Sequence, residues 1–190
     1  MAQSGCYYYA PGGGLADEAE PFALDGPPLV AGGAAALAAV EARVLESTAL
    51  EGVVLRYGFF YGPGTWYAPG GSVARQVERG AFPVTGDGSG VWSFVHVEDA
   101  AAATVTALTA GAPTAGAGAY NVTDDDPAPL AAWLPAYARW LGAPAPPRVS
   151  ADAADPDGRY YATALRGASN ARARRELGFR PRPLPWLAAA

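Results

Sequence analysis

The stretch that decides the fold is residues 55–65, which read LRYGFFYGPGT. Two valines precede it, so residues 52–57 predict a short strand that is buried on both faces. The glycines and the proline that follow predict a turn over residues 58–71. Parallel α/β sheets bind ligands beyond the carboxyl ends of their strands, so the loop after Tyr57 is the first candidate for a binding site.

Helix and strand patterns alternate on both sides of this stretch. The apolar periodicity predicts helices over residues 34–50, 72–79, 98–110, 127–141 and 170–177. Short apolar runs predict strands over residues 1–4, 82–84, 91–97 and 119–122. Ser72 stands where a helix N-cap is favoured. The alternation is typical of an α/β fold with a largely parallel sheet.

The composition limits the class of protein. A chain of 190 residues is one domain or most of one, and its scattered arginines and net charge of −5 give no basic surface for nucleic acid. Glycine, proline or charge interrupts each apolar run, so we expect no membrane-spanning segment, and no secretory signal is visible. The single cysteine, Cys6, suits a reducing compartment. We therefore expect a cytoplasmic protein with a small-molecule partner.

Two residue types are scarce enough to exclude chemistry. All thirteen basic residues are arginine, so a mechanism that needs a lysine ammonium group must obtain it from another chain. The only histidine is His96, which excludes a multi-histidine metal site and makes His96 essential to any Ser-His-Asp triad. The acidic residues 124–126 are interpreted as a helix start. We expect no metal.

Six short motifs follow one another in the order found in one enzyme family. They are LR at 55–56, YGPG at 61–64, GDG at 86–88, FVHVED at 94–99, YNV at 120–122 and ELGF at 176–179. With these motifs the chain resembles the NAD-dependent epimerase/dehydratase family of extended short-chain dehydrogenase/reductases, from Ala2 to about Pro181. Each motif alone is weak, and the specificity lies in their order.

The resemblance implies a Rossmann-like parallel sheet with a small carboxyl-terminal substrate lobe. Residues 1–65 would be the remainder of the Rossmann half, and residues 66–190 mostly the lobe with returning strands. The family also has an opening βαβ unit whose glycine fingerprint holds the cofactor pyrophosphate. No strand of sufficient length precedes the glycines at 12–14, which we interpret as a surface loop. We therefore expect that the amino-terminal βαβ half is missing and that Met1 lies within the family's domain.

The proton relay that the resemblance implies is incomplete. Family members use a serine or threonine and a Tyr-x3-Lys pair, in which the lysine lowers the pKa of the tyrosine. Ser4 stands where that serine is expected, although a structural hydroxyl explains it equally well. The positions that match the pair are Gly33 and Leu37, so the standard relay is absent. Tyr8, in the run of tyrosines at 7–9, is the candidate substitute, with packing beside the pocket as the alternative.

The loop after Tyr57 would lie against nicotinamide and substrate in this family. Expected cofactor-binding residues are Tyr57, Gly58, Phe59 and Phe60, and expected substrate-pocket residues are Tyr61, Trp66, Tyr67 and Trp92. Phe59 replaces an asparagine that contacts substrate in many members, and Trp92 replaces an arginine that binds phosphates in sugar-nucleotide enzymes. An indole suits a ring-bearing substrate better than phosphate, so a nucleotide sugar is disfavoured. A tight turn and core packing are the alternatives.

By resemblance, the sequence predicts an NAD(P)-dependent oxidoreductase or epimerase/dehydratase with a small, rather apolar substrate. The same residues predict that the chain is impaired, and whether it is an enzyme stays open. NAD and NADP are not distinguished. The alternatives are a non-catalytic ligand-binding or regulatory relative and a gene fragment without independent function. The helix at residues 34–50 would contribute to a homodimer in this family, and His96 would be structural.

Overall fold

The structure is a computed structural model, and it describes residues 1–49, 51–109 and 117–188. Its strands are β1 (Ala2–Gly5), β2 (Val53–Tyr57), β3 (Phe59–Tyr61), β4 (Val84–Thr85), β5 (Val91–Trp92), β6 (Phe94–His96), β7 (Gly118–Val122), β8 (Ala128–Pro129) and β9 (Arg148–Val149). Its helices are α1 (Pro28–Leu45), α2 (Ser72–Glu78), α3 (Val97–Thr109), α4 (Leu130–Leu141), α5 (Pro156–Thr163), α6 (Ala171–Glu176) and α7 (Pro185–Ala188).

The central sheet is parallel and has the strand order β1-β2-β7. Strand β2 is the middle strand, and all five of its residues are buried, including Arg56. Burial on both faces is as predicted for this stretch. Gly5 at the end of β1 and Val122 at the end of β7 both pair with Tyr57. The three strands therefore end at one edge, and the α/β class with a parallel sheet is confirmed.

Helix α1 begins six residues before its predicted start, at Pro28 rather than at residue 34. Two prolines open it, and the fixed backbone angle of proline is favourable in a first turn. The predicted end, Leu50, lies outside the described residues. This helix is long and apolar enough to cross a membrane by length and composition alone, so the expectation that no segment reaches that length was wrong. Its buried face, which includes Glu41, packs on the sheet.

The predicted strand at residues 91–97 is two strands that separate at Ser93. Strand β5 pairs antiparallel with β8, whereas β6 pairs parallel with β3. The backbone oxygen of Ser93 accepts a hydrogen bond from Phe59 N at 2.9 Å, and its hydroxyl accepts one from Ala168 N at 2.9 Å. The predicted turn at 58–71 therefore contains the strand β3, and the helix predicted from residue 127 begins only at Leu130.

One further prediction of local structure was wrong, and one helix was missed. Ser72 is the first residue of α2 rather than its cap, because Gly71 occupies the cap position without a side-chain hydrogen bond. Helix α5 was not predicted, although Asp155 and Pro156 form a favoured helix start in which Asp155 accepts a hydrogen bond from Gly158 N at 2.9 Å. Glycine within the helix and its weak apolar pattern obscured that signal.

Candidate substrate site

The end of β2 leads into the site through Gly58. A Cβ at Gly58 would lie 2.5 Å from the backbone oxygen of Ser93, so only glycine allows β3 to approach β6 this closely. This approach places the ring of Phe59 against Trp92, with 4.4 Å between the ring centroids and 28° between the planes. The loop predicted to form a pocket is therefore held directly against the strand that carries Trp92.

A row of stacked rings forms one wall of the site. Tyr7 stacks on Phe59 with 4.8 Å between the centroids, and Phe59 stacks in turn on Trp92. The indole nitrogen of Trp92 donates to the backbone oxygen of Tyr161 at 3.0 Å, which holds the indole plane in place. Since offset stacking is the preferred arrangement of aromatic rings, this wall is complementary to a flat, ring-bearing molecule.

The rings border a cavity of about 690 Å³. Its walls are Tyr7, Tyr8, Gly58, Phe59, Phe60, Gly64, Thr65, Trp66, Tyr67, Val73, Gln76, Phe82, Trp92, Val97 and Tyr161. Among the residues that the structure describes, no charged side chain lines it. The Thr65 hydroxyl is already used, because it donates to the Gly62 backbone oxygen at 2.8 Å. The cavity is large enough for a small organic molecule and is mostly apolar.

Tyr8 enters the cavity over Gly33 of helix α1. A Cβ at Gly33 would lie 2.5 Å from the Tyr8 hydroxyl oxygen, so the phenol occupies the space that a side chain at residue 33 would need. Tyr161 of α5 is the neighbouring phenol. Burial raises the pKa of Tyr161, and its interaction with the Tyr8 phenol raises it further. The loop after β1 thus places the Tyr8 phenol directly over Gly33 of α1.

The comparison with known proteins agrees with the fold and the motif order. Residues 33–123 match the model of the NAD dependent epimerase/dehydratase family. This segment belongs to that family. A curated Streptomyces sp. protein, 3-diazoavenalumate denitrifying reductase, is 45% identical over 193 residues, which cover 98% of this chain and 62% of that protein. The predicted resemblance to the family is confirmed.

Two solved structures show the same fold. A functionally unknown conserved protein from Silicibacter pomeroyi has a TM-score of 0.71 at 26% identity, over 98% of this chain and 61% of that one. A human epimerase family protein solved with NADPH has a TM-score of 0.72 at 19% identity, over 95% of this chain and 60% of that one. The chain therefore spans about three fifths of the length of these relatives.

Several residues predicted for the site meet at the cavity. They are Tyr8, Gly58, Phe59, Phe60, Trp66, Tyr67 and Trp92. Sequence reasoning missed Tyr161, because helix α5 was not predicted, and it missed Phe82 and Val73, whose apolar side chains carry no distinctive signal. The structure places the side chains of the predicted residues around one cavity, and their roles in binding stay predictions.

Three predicted site residues do not line this cavity. Ser4 donates its hydroxyl to Glu41 Oε1 at 2.6 Å, within the buried interface of β1 and α1. The Tyr57 hydroxyl shares a hydrogen bond of 2.5 Å with Thr104 Oγ1 of α3. Tyr61 donates to the Pro183 backbone oxygen at 3.5 Å and packs against α7. Each hydroxyl thus has a partner within the fold.

A buried polar network holds the tyrosine-rich loop. Arg56 of β2 binds Glu41 of α1 through Nε at 2.9 Å and Nη2 at 2.6 Å, and its Nη1 donates to the Tyr9 hydroxyl at 2.7 Å. Tyr9 donates in turn to Asn121 Oδ1 of β7 at 2.8 Å. The network ties α1, two sheet strands and the loop together, and therefore helps to position Tyr7 and Tyr8 beside the cavity.

The acidic run at residues 124–126 is not a helix start, because these residues precede β8 and α4 begins at Leu130. Asp124 is buried, and burial raises its pKa to about 8. Asp125 pairs with Arg174, and Asp126 Oδ2 accepts a hydrogen bond from Leu184 N at 3.0 Å. Within the described ranges, no group of three or more metal-ligating side chains forms a candidate metal site.

His96 lies at the junction of β6 and α3. Its Nδ1 accepts a hydrogen bond from Glu98 N at 3.2 Å, and a Cβ at Gly62 would lie 2.5 Å from its Nε2. The ring is buried between the loop and the helix start, packed edge-on against Tyr61. This geometry gives His96 a local role in the turn rather than a place at the cavity.

Proposed function

We propose that this chain forms the substrate-side wall of an NAD(P)-dependent reductase that acts on a small, flat, aromatic molecule. The observation that carries the proposal is the cavity of about 690 Å³ with nine aromatic side chains around it. Contact with the row of Tyr7, Phe59 and Trp92 rings would orient such a substrate, and the apolar walls would exclude water. The family assignment of residues 33–123 supports an NAD-dependent, oxidoreductase-like activity.

The absence of charge around the cavity argues against a nucleotide-sugar substrate. A diphosphate buried there would lose its hydration without meeting a guanidinium group, because the described lining contains no arginine. Trp92 stands where the family's sugar-nucleotide enzymes often carry that arginine. The Trp92 indole instead donates its only hydrogen to Tyr161 O, so it has none left for a phosphate.

The Streptomyces relative narrows the first substrates to test. Its name describes the denitrifying reduction of a diazo compound, 3-diazoavenalumate. Because this chain and the Streptomyces protein are 45% identical over most of this chain, the same class of compound is the first to test as a substrate. We therefore propose aromatic compounds that carry a diazo group as the first candidate substrates.

The described residues fit one part of the cofactor and not another. The apolar strip Gly58, Phe59 and Phe60 suits the nicotinamide ring, which supplies a hydride when it is bound in reduced form. The phosphates find no matching seat: Gly13 and Gly14 lie in an exposed loop whose carbonyl groups accept hydrogen bonds from Arg166. We therefore propose that the 190-residue chain by itself binds NAD(P)H weakly and is impaired in reduction.

Of the two candidate catalytic residues, the geometry favours Tyr8. Its phenol lines the cavity, whereas the Ser4 hydroxyl is committed to Glu41. The chain has no lysine to lower the pKa of a tyrosine. That absence favours a second candidate function, a ligand-binding relative without turnover, which would bind aromatic molecules in the same cavity but never oxidise NADPH.

Tryptophan fluorescence tests this proposal, because Trp66 and Trp92 line the cavity. We expect a diazo-free analogue, such as a cinnamate ester, to quench the tryptophan fluorescence of the wild-type protein. It should do so at concentrations at least tenfold lower than the NADH or NADPH concentrations that give the same quenching. The change Trp66→Phe should reduce the quenching, whereas Trp140→Phe should not, because Trp140 is exposed and lies outside the cavity lining. Tight NAD(P)H binding would overturn the claim that the phosphates lack a seat.

Turnover separates the two candidate functions. NADPH absorbance is followed with an aryl diazonium salt as substrate, in the presence of the purified chain and of the Streptomyces relative as a positive control. Slow but protein-dependent NADPH oxidation would support the reductase. Aromatic binding without any oxidation would support the ligand-binding relative.

Location and assembly are also proposals. The single cysteine is buried and free, which is compatible with the cytoplasm. Helix α1 exposes Leu29 and Val40 on the face away from the sheet, which supports a homodimer through this helix. Sedimentation equilibrium tests it: a dimer is expected, and a monomer at all concentrations would contradict it.

A further inference from the structure

Tyr8 and Gly33 fit each other closely. The Tyr8 ring covers Gly33, and a Cβ at that position would be within 2.5 Å of the phenol oxygen. Gly32, one residue earlier in the same helix, has no atom of the described residues within 4 Å of its Cβ position beyond its own helix backbone and chain neighbours. Glycine disfavours helix formation, so two adjacent glycines in α1 need different explanations. Only Gly33 is explained by a neighbouring side chain, which is the Tyr8 ring.

Tyr8 and Tyr161 are neighbouring phenols in the lining of this mostly apolar cavity. Both line it, and their phenols interact. Among the other polar groups of the lining, the Trp92 indole donates to Tyr161 O and the Thr65 hydroxyl donates to Gly62 O, while Tyr7, Trp66, Tyr67 and Gln76 contribute further polar side chains. The Tyr8–Tyr161 pair differs from these because its two phenols interact and because Tyr8 fills the space over Gly33. A phenol is a neutral hydrogen-bond donor and acceptor, so it recognises an uncharged oxygen without a partner charge.

We propose that the Tyr8–Tyr161 phenol pair is the point at which the cavity recognises a neutral acceptor oxygen on a flat aromatic ligand, and that Gly33 lacks a side chain in order to admit Tyr8. The inference rests on the proposal that this cavity is the substrate site. It specifies the ligand further: its rings contact the row formed by Tyr7, Phe59 and Trp92, a carbonyl or ether oxygen faces the phenols, and a carboxylate is excluded from that end.

Three bicyclic probes of similar shape test the recognition by isothermal titration calorimetry, without cofactor. Coumarin carries a neutral carbonyl, naphthalene carries none, and coumarin-3-carboxylate carries an anion. We expect wild-type protein to bind coumarin about three- to tenfold more tightly than naphthalene, the fold-change of one net hydrogen bond. The carboxylate should bind more weakly than coumarin. Equal affinity for coumarin and naphthalene would overturn the inference.

Matched variants assign the preference to residues. Tyr8→Phe and Tyr161→Phe should each lower the ratio of the coumarin affinity to the naphthalene affinity toward one. The affinity for naphthalene itself should stay unchanged. Gly33→Ala should displace the flexible end of Tyr8 and have the same effect, whereas Gly32→Ala should keep the wild-type preference. Both alanine variants should keep the wild-type circular dichroism spectrum. An undiminished preference in folded Gly33→Ala and in Tyr8→Phe would refute the role of this pair.

The outcomes distinguish this inference from the proposed function. If coumarin is preferred and the Tyr8→Phe variant loses the preference, the recognition stands even where no NAD(P)H oxidation is found. If NADPH is oxidised with an aromatic substrate but the three probes bind with equal affinity, the reductase proposal is supported and the proposed recognition by the phenol pair is wrong. Failure of all three probes to bind would overturn the substrate-site proposal together with this inference.

Discussion

Arg56 and Glu41 carry opposite charges in a part of the fold with little access to water. Their side chains are 8% and 5% exposed, and the guanidinium group binds both carboxylate oxygens. A buried pair of this kind adds little net stability compared with apolar residues, but breaking it leaves an uncompensated charge. Its structural value is to join α1 to β2 and to the tyrosine-rich loop.

Glu41→Ala should therefore destabilise the protein by about 3–5 kcal/mol, measured by urea unfolding, because the Arg56 charge stays buried without its partner. The matched control is Arg175→Ala, which breaks an ion pair whose arginine is 66% exposed. That change should cost less than about 1 kcal/mol. Similar losses for the two variants would show that the Arg56 charge reaches water.

The burial of Asp124 makes the stability of the protein depend on pH. Its folded-state pKa is raised from 3.8 to about 8 by burial, with smaller contributions from the charges of Asp126 and Asp125. Its Oδ2 has no hydrogen-bond partner among the described residues. The folded protein therefore retains this proton where the unfolded chain releases it, and stability falls as the pH rises from about 4 to about 8.

Relative to Asp124→Asn, the wild type should thus lose stability between about pH 5 and pH 7.5, at up to about 1.4 kcal/mol per pH unit. Urea unfolding of both proteins at the two pH values measures the difference. Asp87→Asn is the control: hydrogen bonds from Ser89 lower the pKa of exposed Asp87, so it stays charged throughout. A constant difference between wild type and Asp124→Asn would contradict a proton held by Asp124.

The sequence shows directly where a residue departs from a family motif. Gly33, Leu37, Phe59 and Trp92 are all recognisable in this way, and the structure places Phe59 and Trp92 in contact. It predicts poorly where a role depends on distant neighbours. Ser4 matches a catalytic position, but its hydroxyl bonds to Glu41, 37 residues away, and no local pattern signals that partner.

At the scale of elements, the approach of β3 to β6 shapes the cavity wall. This approach depends on Gly58, whose Cβ would collide with backbone rather than with a flexible side chain. The long helices and the buried strand β2 were predictable, because their apolar patterns extend over several residues. The two-residue strands and the break at Ser93 were not, because pairing with distant segments defines them.

Gly58→Ala should destabilise the protein by about 2–3 kcal/mol, since the strands must separate to accept the methyl group. Binding of aromatic probes should weaken as well, because Phe59 moves away from Trp92. Gly13→Ala is the matched control: its added Cβ meets nothing within 4 Å, and a change within about 0.5 kcal/mol is expected in thermal unfolding. A tolerated Gly58→Ala would disprove the close approach as a requirement.

At the scale of the whole molecule, the order of the motifs was sufficient to predict the family and the parallel sheet. It was not sufficient to predict the shape of the cavity. Two of the side chains that border the cavity are Tyr8, from the loop after β1, and Tyr161, from α5. These residues are 153 positions apart in the sequence. Only the folded chain brings these side chains together, so this pair of phenols could not be predicted from spacing in the sequence.

The central claim is that this chain has an aromatic, uncharged substrate site. Calorimetric titration of the wild-type chain with coumarin and with UDP-glucose, under the same conditions, tests it most directly. We predict saturable coumarin binding with one site per chain, weakened in Gly58→Ala and in Trp66→Phe, and no binding of UDP-glucose at the same concentrations. Tighter binding of UDP-glucose than of coumarin would contradict the account.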